Sequence, residues 1–382
     1  MGEDKSAIKS GSPMLGVLGP LSSQTKLFSS RTKPRGDSFI FRMHYRTTFV
    51  FIMACCLLVT ATQYLGDKIA CLVDKDSLSQ KVIDTYCFIS STYTLPSTKD
   101  MQEGLQVAHR GLGPDVPEEE TVYHNYYMWV PYVLFLQALC FYVPHWLWKM
   151  MQTDKVMNVL QGLNYLIVDQ EQRKKKEDTM VEYLYYNWGR HNIWAIKYVV
   201  CETLNLLNII LQLIITNQFL GGEFMTYGTQ VVEFMNYEPQ NRSDPMYEIF
   251  PRITKCSFHR YGPSGSIERH DALCVLSINI LNEKIYLALW FWFLFLLVLT
   301  ILLMLYRVAT LLFKPVRSKL MLGRNARYGS RDTAYFVAEK CDFGDWYLLN
   351  TLSRNMNGPV FAEVLKKLTR KMEGGDDATL KA

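Results

Sequence analysis

Four cysteines stand where chemistry could follow from them. Cys71 and Cys87 are 16 residues apart, and Cys256 and Cys274 are 18 apart. The second pair brackets "SFHRYGPSGSIERHDAL", which holds His259 and His270. Thiolates and imidazoles together could hold zinc. Structural zinc sites usually bring two ligands together on one tight turn in a CxxC-type pair, and neither spacing does that. The other chemistry is oxidation to disulfides, which an oxidising compartment favours. Four cysteines allow three pairings, and the sequence does not choose among them.

Other catalytic patterns are missing. "GPSGS" at 262–266 is not a G-x-S-x-G nucleophile elbow, because its second glycine comes one place early. There is no P-loop, H-E-x-x-H or G-x-G-x-x-G, and the seven histidines are scattered. An enzyme is not expected, nor is a cofactor. The net charge of +5 does not call for nucleic acid. Arg173-Lys174-Lys175-Lys176 runs straight into Glu177-Asp178, as on a solvated helix face, with attraction to anionic membrane lipid as the alternative.

The elements that must position these cysteines are four long apolar runs. They are "TTFVFIMACCLLVTATQYLG", "YYMWVPYVLFLQALCFYVPHWLW", "TLNLLNIILQLIITNQFLGG" and "IYLALWFWFLFLLVLTILLMLY". Each approaches or exceeds the roughly 20 residues that cross a bilayer. The expected organisation is an all-α integral membrane protein with spans at 47–66, 127–148, 199–222 and 285–306. Between them lie loops 67–126, 149–198 and 223–284, with terminal segments 1–46 and 307–382. Lys and Arg number 29 in residues 1–46, 149–198 and 309–382, against 11 in the other two loops. The positive-inside rule therefore puts both termini and the middle loop in the cytoplasm. The four spaced cysteines then fall two in each extracellular loop, and disulfides become the expectation.

Individual residues stand out on this frame. Pro131 and Pro144 are candidates to kink the second span. Glu202, at the start of the third, reads as an interfacial anchor or a packing partner. Asn241-Arg242-Ser243 is a glycosylation sequon in the second outer loop. Apolar spacing predicts helices over 155–168 and 358–372, the latter with Val360, Phe361, Val364, Leu365 and Leu368 on one face.

Several ordered stretches carry a resemblance. They are "FRMHYRTT", "TATQYLGDKIACLVD", "DTYCFISSTYTLP", "YYMWVPYVLFLQALCFYVPHWLWK", "VVCETLNLLN", "DPMYEIFPRITKCSFHRYGPSGS", "HDALCVLSINILNEKIYLALWFWF" and "CDFGDWYLL". Over roughly 39–372 the chain resembles the innexins, the gap-junction channel family of invertebrates, related to the pannexins. Two departures are visible: Met128 stands where the family usually has glutamine in YYQWV, and the N-terminal segment is longer and rich in Ser, Gly and Pro.

The resemblance implies a ring of subunits, homomeric or mixed with other innexins, about eight by the family's pattern. It implies docking to a ring in an apposed plasma membrane and passage of ions and small metabolites between cells. It also implies the crossed pairs Cys71 with Cys274 and Cys87 with Cys256, and a first span that lines the pore, with Thr62 and Gln63 as candidates. An undocked hemichannel and a non-conducting four-span adhesion or scaffold protein are the alternatives. Coupling between paired cells separates gap junctions from both.

Overall fold

The computed structural model of the chain describes residues 36–73, 79–98, 101, 103–114, 121–152, 170–234, 245–325 and 329–379. Asn241 and the helix expected at 155–168 lie outside the described residues, as does residue range 1–35.

The first apolar run lies in α1 (Phe39–Leu65). β1 (Ala70–Leu72), α2 (Gln80–Ser90), β2 (Thr92–Thr94) and β3 (Val122–His124) follow, then α3 (Val130–Met151). Next come α4 (Gln170–Tyr186), α5 (Asn192–Phe219), α6 (Phe224–Phe234) and α7 (Pro245–Ile249). β4 (Ile253–Tyr261) and β5 (Ile267–Val275) form a hairpin that leads into α8 (Ser277–Leu312). The chain closes with α9 (Lys314–Asn325), α10 (Arg331–Lys340), α11 (Phe343–Asn355) and α12 (Gly358–Thr379).

α1, α3, α5 and α8 are long and apolar enough to cross a membrane, with 27, 22, 28 and 36 residues. At about 1.5 Å per residue the shortest spans about 33 Å, against a hydrocarbon core of about 30 Å. α1 starts eight residues before its uncharged run because Ser38 caps it, its hydroxyl accepting from the Phe41 N–H at 3.2 Å. Met43–Thr48 is wound more loosely, as a π-helix, and the Thr48 hydroxyl donates to the Met43 carbonyl at 2.9 Å.

The sheet is a feature that the helical expectation does not contain. Five strands lie in the order β1-β5-β4-β2-β3, every pair antiparallel. β1, β2 and β3 come from the segment after α1, and β4 and β5 from the segment before α8. Each stretch thus supplies partners for the other's backbone groups. The strands from the first stretch are only three residues long and carry almost no periodic signal of their own. In β4 burial alternates at first, with Thr254 and Cys256 inward.

The chain divides into two compact units. One comprises Asp37–Gln152 and Ile196–Ala309 and holds the sheet and most of the spanning helices. The other takes in the described residues of Thr153–Ala195 and Thr310–Ala382, including α4 and α9 to α12. In the second unit Val360, Phe361, Val364, Leu365 and Leu368 are all buried, so the apolar face expected over 358–372 is the packed face of α12.

Candidate functional site

Three of the four spaced cysteines lie on strands of the sheet, Cys71 on β1, Cys256 on β4 and Cys274 on β5, and Cys87 lies on α2. Cys71 of β1 is the register partner of Cys274 of β5, and the two are joined as a disulfide. Cys87 of α2 is joined to Cys256 of β4. Sequence separations are 203 and 169, so each bond ties the stretch after α1 to the stretch before α8. On a chain-entropy model, closing a loop that long stabilises by about 5 kcal/mol, and the two overlapping loops are not additive. With their sulfurs bonded to each other these cysteines offer no thiolate for zinc. His259 and His270 fall on opposite faces of the hairpin, since His259 pairs with Arg269 while His270 pairs with Phe258.

Polar contacts reinforce the staples. The Cys71 N–H donates to Asp84 Oδ1 at 2.8 Å, and the Gln80 amide donates to the Cys71 carbonyl. Tyr86 meets the Phe258 ring edge-on at 4.9 Å. Lys255 Nζ donates to the Gly113 carbonyl at 2.9 Å, holding a segment of the first stretch against β4. The Arg260 guanidinium hydrogen-bonds Glu268 at 2.8 Å and holds that carboxyl below its usual range.

The base of the sheet is locked onto α8. Arg252, beside β4, donates from Nε and Nη2 to both oxygens of the buried Glu283 at 2.8–3.1 Å. Asn279 donates to the Pro251 carbonyl at 2.7 Å, and the Tyr227 hydroxyl to the Glu283 carbonyl at 2.9 Å. α6 lies against α8 at Gly228, where an added Cβ would fall 2.1 Å from the Trp290 ring.

Among the spanning helices, several buried polar groups are paired across helices. Glu202 is fully buried and forms a two-point ion pair with Arg307, at 2.5 and 2.9 Å. It also accepts from the Ser38 hydroxyl at 3.1 Å, and the Ser38 N–H donates to the Tyr198 hydroxyl at 2.7 Å. Asp37 accepts from Trp148 Nε1 at 3.0 Å and from the Tyr45 hydroxyl at 3.3 Å. Burial raises the Asp37 carboxyl, against the opposing pull of His145 and of these hydrogen bonds. The stem of α1 is thus clamped to α3, α5 and α8. Further along, His44 Nε2 shares a hydrogen bond with Thr300 Oγ1 at 2.8 Å, and Trp292 Nε1 donates to Thr48 Oγ1 at 2.9 Å.

The remaining candidates fall as follows. Pro131 stands in the first turn of α3, where a helix has no use for the missing N–H, so it starts the helix rather than kinking it. Pro144 stands inside α3. Thr62 is exposed, and its hydroxyl donates to the Val59 carbonyl at 2.8 Å. Gln63 is half-buried, and its amide donates to the Tyr127 carbonyl at 3.0 Å, tying the end of α1 to the start of α3. Thr47, Val50, Ala54, Leu57 and Ala61 recur every three or four residues as an exposed, uncharged stripe on α1.

In the second unit, "WGRHN" closes on "CDFGD". His191 Nδ1 and Asp345 Oδ1 are 2.7 Å apart, both buried, and the Gly189 N–H donates to Asp345 Oδ2 at 2.8 Å. The Gly344 N–H donates to Asn192 Oδ1 at 2.8 Å. A Cβ on Gly344 would lie 2.3–2.5 Å from the His191 and Asn192 backbone. Burial pushes the neighbouring Cys341 thiol well up, with Asp345 adding to the shift. Lys367 of α12 binds Asp178 at 2.8 Å and Glu177 at 3.3 Å on α4. Neither this clasp nor the Glu202–Arg307 pair could be found from spacing, since the partners lie more than 100 residues apart.

These features describe a four-span membrane protein whose two long loops are woven into one disulfide-crosslinked sheet. The family model "Innexin" matches residues 37–372. The chain is 43% identical over 346 residues to innexin inx2 of Drosophila melanogaster, covering 90% of this chain and 94% of that one. It is 39% identical to Drosophila melanogaster innexin inx3 (93% and 89% covered), and 38% identical to innexin shaking-B of the same species (94% and 95% covered). The chain belongs to the innexin family. It is a multi-pass plasma-membrane protein and a subunit of gap junction channels, which assemble as oligomers of innexins. Innexins are channel proteins rather than enzymes.

Proposed function

We propose that this chain closes into a ring of about eight subunits and that its stapled sheet joins that ring to a second one in the apposed membrane. The observation that carries this reading is the sheet itself, built from both loops and crosslinked twice between them. A surface that must meet its mate across a gap gains affinity from being rigid before contact. In this reading the sheet faces outward. The unit with α4 and α9 to α12 faces the cytoplasm, a topology supported by the Lys and Arg excess of 29 against 11.

The pore wall is assigned to α1. Its stripe through Thr47, Val50, Ala54, Leu57 and Ala61 carries no charge, which suits a wide path for ions of either sign. Thr62 extends this wall towards the sheet end. Gln63 acts as a tie to α3, with its amide already engaged. The clamp at Asp37 and Ser38 fixes where the chain before α1 enters the bundle. Pro144 is retained as the bend in α3. Asn241 is proposed as a glycan acceptor on the outer side, where a glycan would hinder ring-to-ring approach.

Electron microscopy of the purified protein tests ring closure, with rings of about eight expected. Current and dye transfer between paired cells that express only this chain test docking. Rings at the surface with no transfer would contradict the reading.

A further inference from the structure

α9 starts two residues after α8 ends, and the charge at this junction is one-sided. Residues 285–331 contain seven Lys and Arg and no Asp or Glu. Arg307, the first of the seven, is buried and paired with Glu202. The other six, Lys314, Arg317, Lys319, Arg324, Arg327 and Arg331, fall within 314–331. Clusters of four to eight basic residues just cytoplasmic of a spanning helix attract anionic lipid.

The fold sorts these residues by face. Arg317 is 5% exposed, and its carbonyl accepts from Trp346 Nε1 of α11 at 3.2 Å. Met321, one turn on, is buried as well, so this side of α9 is packed. Lys314 and Lys319 are exposed, as is Arg331 at the start of α10. Just before them Leu312 and Phe313 are 70% and 55% exposed. Leu305, Val308 and Leu312 recur at three and four residues as an exposed apolar stripe on α8. The stripe of a spanning helix thus ends on exposed lysines.

We propose that Lys314 and Lys319 bind the phosphates of anionic phospholipid headgroups in the cytoplasmic leaflet, with Leu312 and Phe313 seated in the same interfacial layer. The inference rests on the cytoplasmic placement of α9 given above. Depth is the first reason that the partner is a lipid. The uncharged run of α8 ends at Arg307, and Lys314 is seven residues on, about 10 Å along a helix. The headgroup layer occupies about 5–8 Å beyond the hydrocarbon on each side, so Lys314 stands at its rim. Lys319 is at most about 7.5 Å further out, within a Debye length of about 8 Å at physiological salt. The second reason is the apolar lead-in. A soluble polyanion would leave Leu312 and Phe313 facing water, whereas a lipid interface covers them. Each lysine near an anionic leaflet strengthens the attraction about fivefold, so the pair contributes more than tenfold.

The test uses the full-length protein in detergent, with bound lipid counted by native mass spectrometry. The probes are dioctanoyl phosphatidylinositol 4,5-bisphosphate, dioctanoyl phosphatidylcholine, and inositol 1,4,5-trisphosphate as a headgroup without chains. Lys314→Gln with Lys319→Gln removes the charges, and Lys314→Arg with Lys319→Arg keeps them. Lys174→Gln with Lys175→Gln, in the exposed basic run of α4, is the control. The bisphosphate lipid is expected to bind at least tenfold more tightly than phosphatidylcholine. The glutamine pair at 314 and 319 should lose at least tenfold of that affinity at unchanged melting temperature, while the arginine pair and the α4 control keep it. Equal affinity for the two lipids, or the same affinity in the 314 and 319 glutamine variant as in wild type, would overturn the site. Trisphosphate binding as tight as the lipid would make the ligand a soluble anion and overturn it too. Sidedness is read separately. Gly323→Cys on α9 should resist a membrane-impermeant maleimide in intact cells, and labelling from outside would overturn the cytoplasmic placement while leaving the detergent binding result to stand.

Discussion

Replacing Gly344 by alanine tests the clasp of the second unit. The new methyl would sit 2.3–2.5 Å from the backbone of His191 and Asn192, so one strand of the clasp must retreat by about an ångström to reach an ordinary contact. Hydrogen bonds now at 2.7–2.8 Å do not survive that retreat. Two of them reach a buried carboxylate, and such bonds contribute about 1.5–3 kcal/mol each. A loss of about 3 kcal/mol raises the opened fraction by about two powers of ten.

Cys341 is the reporter, because it is buried beside Asp345 and burial has pushed its thiol well up. Maleimide labelling of Cys341, read by peptide mass spectrometry, should be slow in the wild type and about a hundredfold faster in Gly344→Ala. Gly323→Ala is the control: its Cβ would meet nothing within 4 Å on the exposed face of α9. In a helix that change stabilises by up to about 1 kcal/mol. Equal labelling rates in wild type and Gly344→Ala would refute the reasoning.

Other outcomes follow from the same geometry. Glu202→Gln and Arg307→Met should each lower the melting temperature of the solubilised channel, by about 3–5 kcal/mol of stability. The double variant should recover much of that, because the cost lies in the buried partner left alone. Gly228→Ala should destabilise by about 1–3 kcal/mol through overpacking on Trp290, visible as reduced surface level at raised temperature. Asp37 has its folded value raised by burial, so its stabilising contribution is present below the ordinary value of 3.8 and lost as pH rises through the raised one. Mild acidification should therefore raise the melting temperature of the wild type more than that of Asp37→Asn.

The spanning architecture was legible because bilayer thickness writes itself into uncharged runs. The ends of the helices were not, because they depend on partners. α1 reaches back to Phe39 only because Ser38 caps it and Glu202, Arg307 and Tyr198 hold the cap. Compartment logic pointed to Cys71, Cys87, Cys256 and Cys274, and the crossed pairing came from the family resemblance. The sheet around them is not legible because β1, β2 and β3 are three residues each, and β1 and β2 find partners only in strands of the other loop. The resemblance offers Gln63 as a pore-lining candidate. Its contact with Tyr127 depends on how α3 begins at Pro131, which no local pattern reveals.

The most direct measurement is junctional conductance between two cells that each express only this chain, compared with cells that express Cys87→Ser with Cys256→Ser. A large wild-type conductance, lost in the variant while its protein still reaches the surface, is the predicted result. Wild-type conductance from the variant would contradict the stapled sheet as the docking platform.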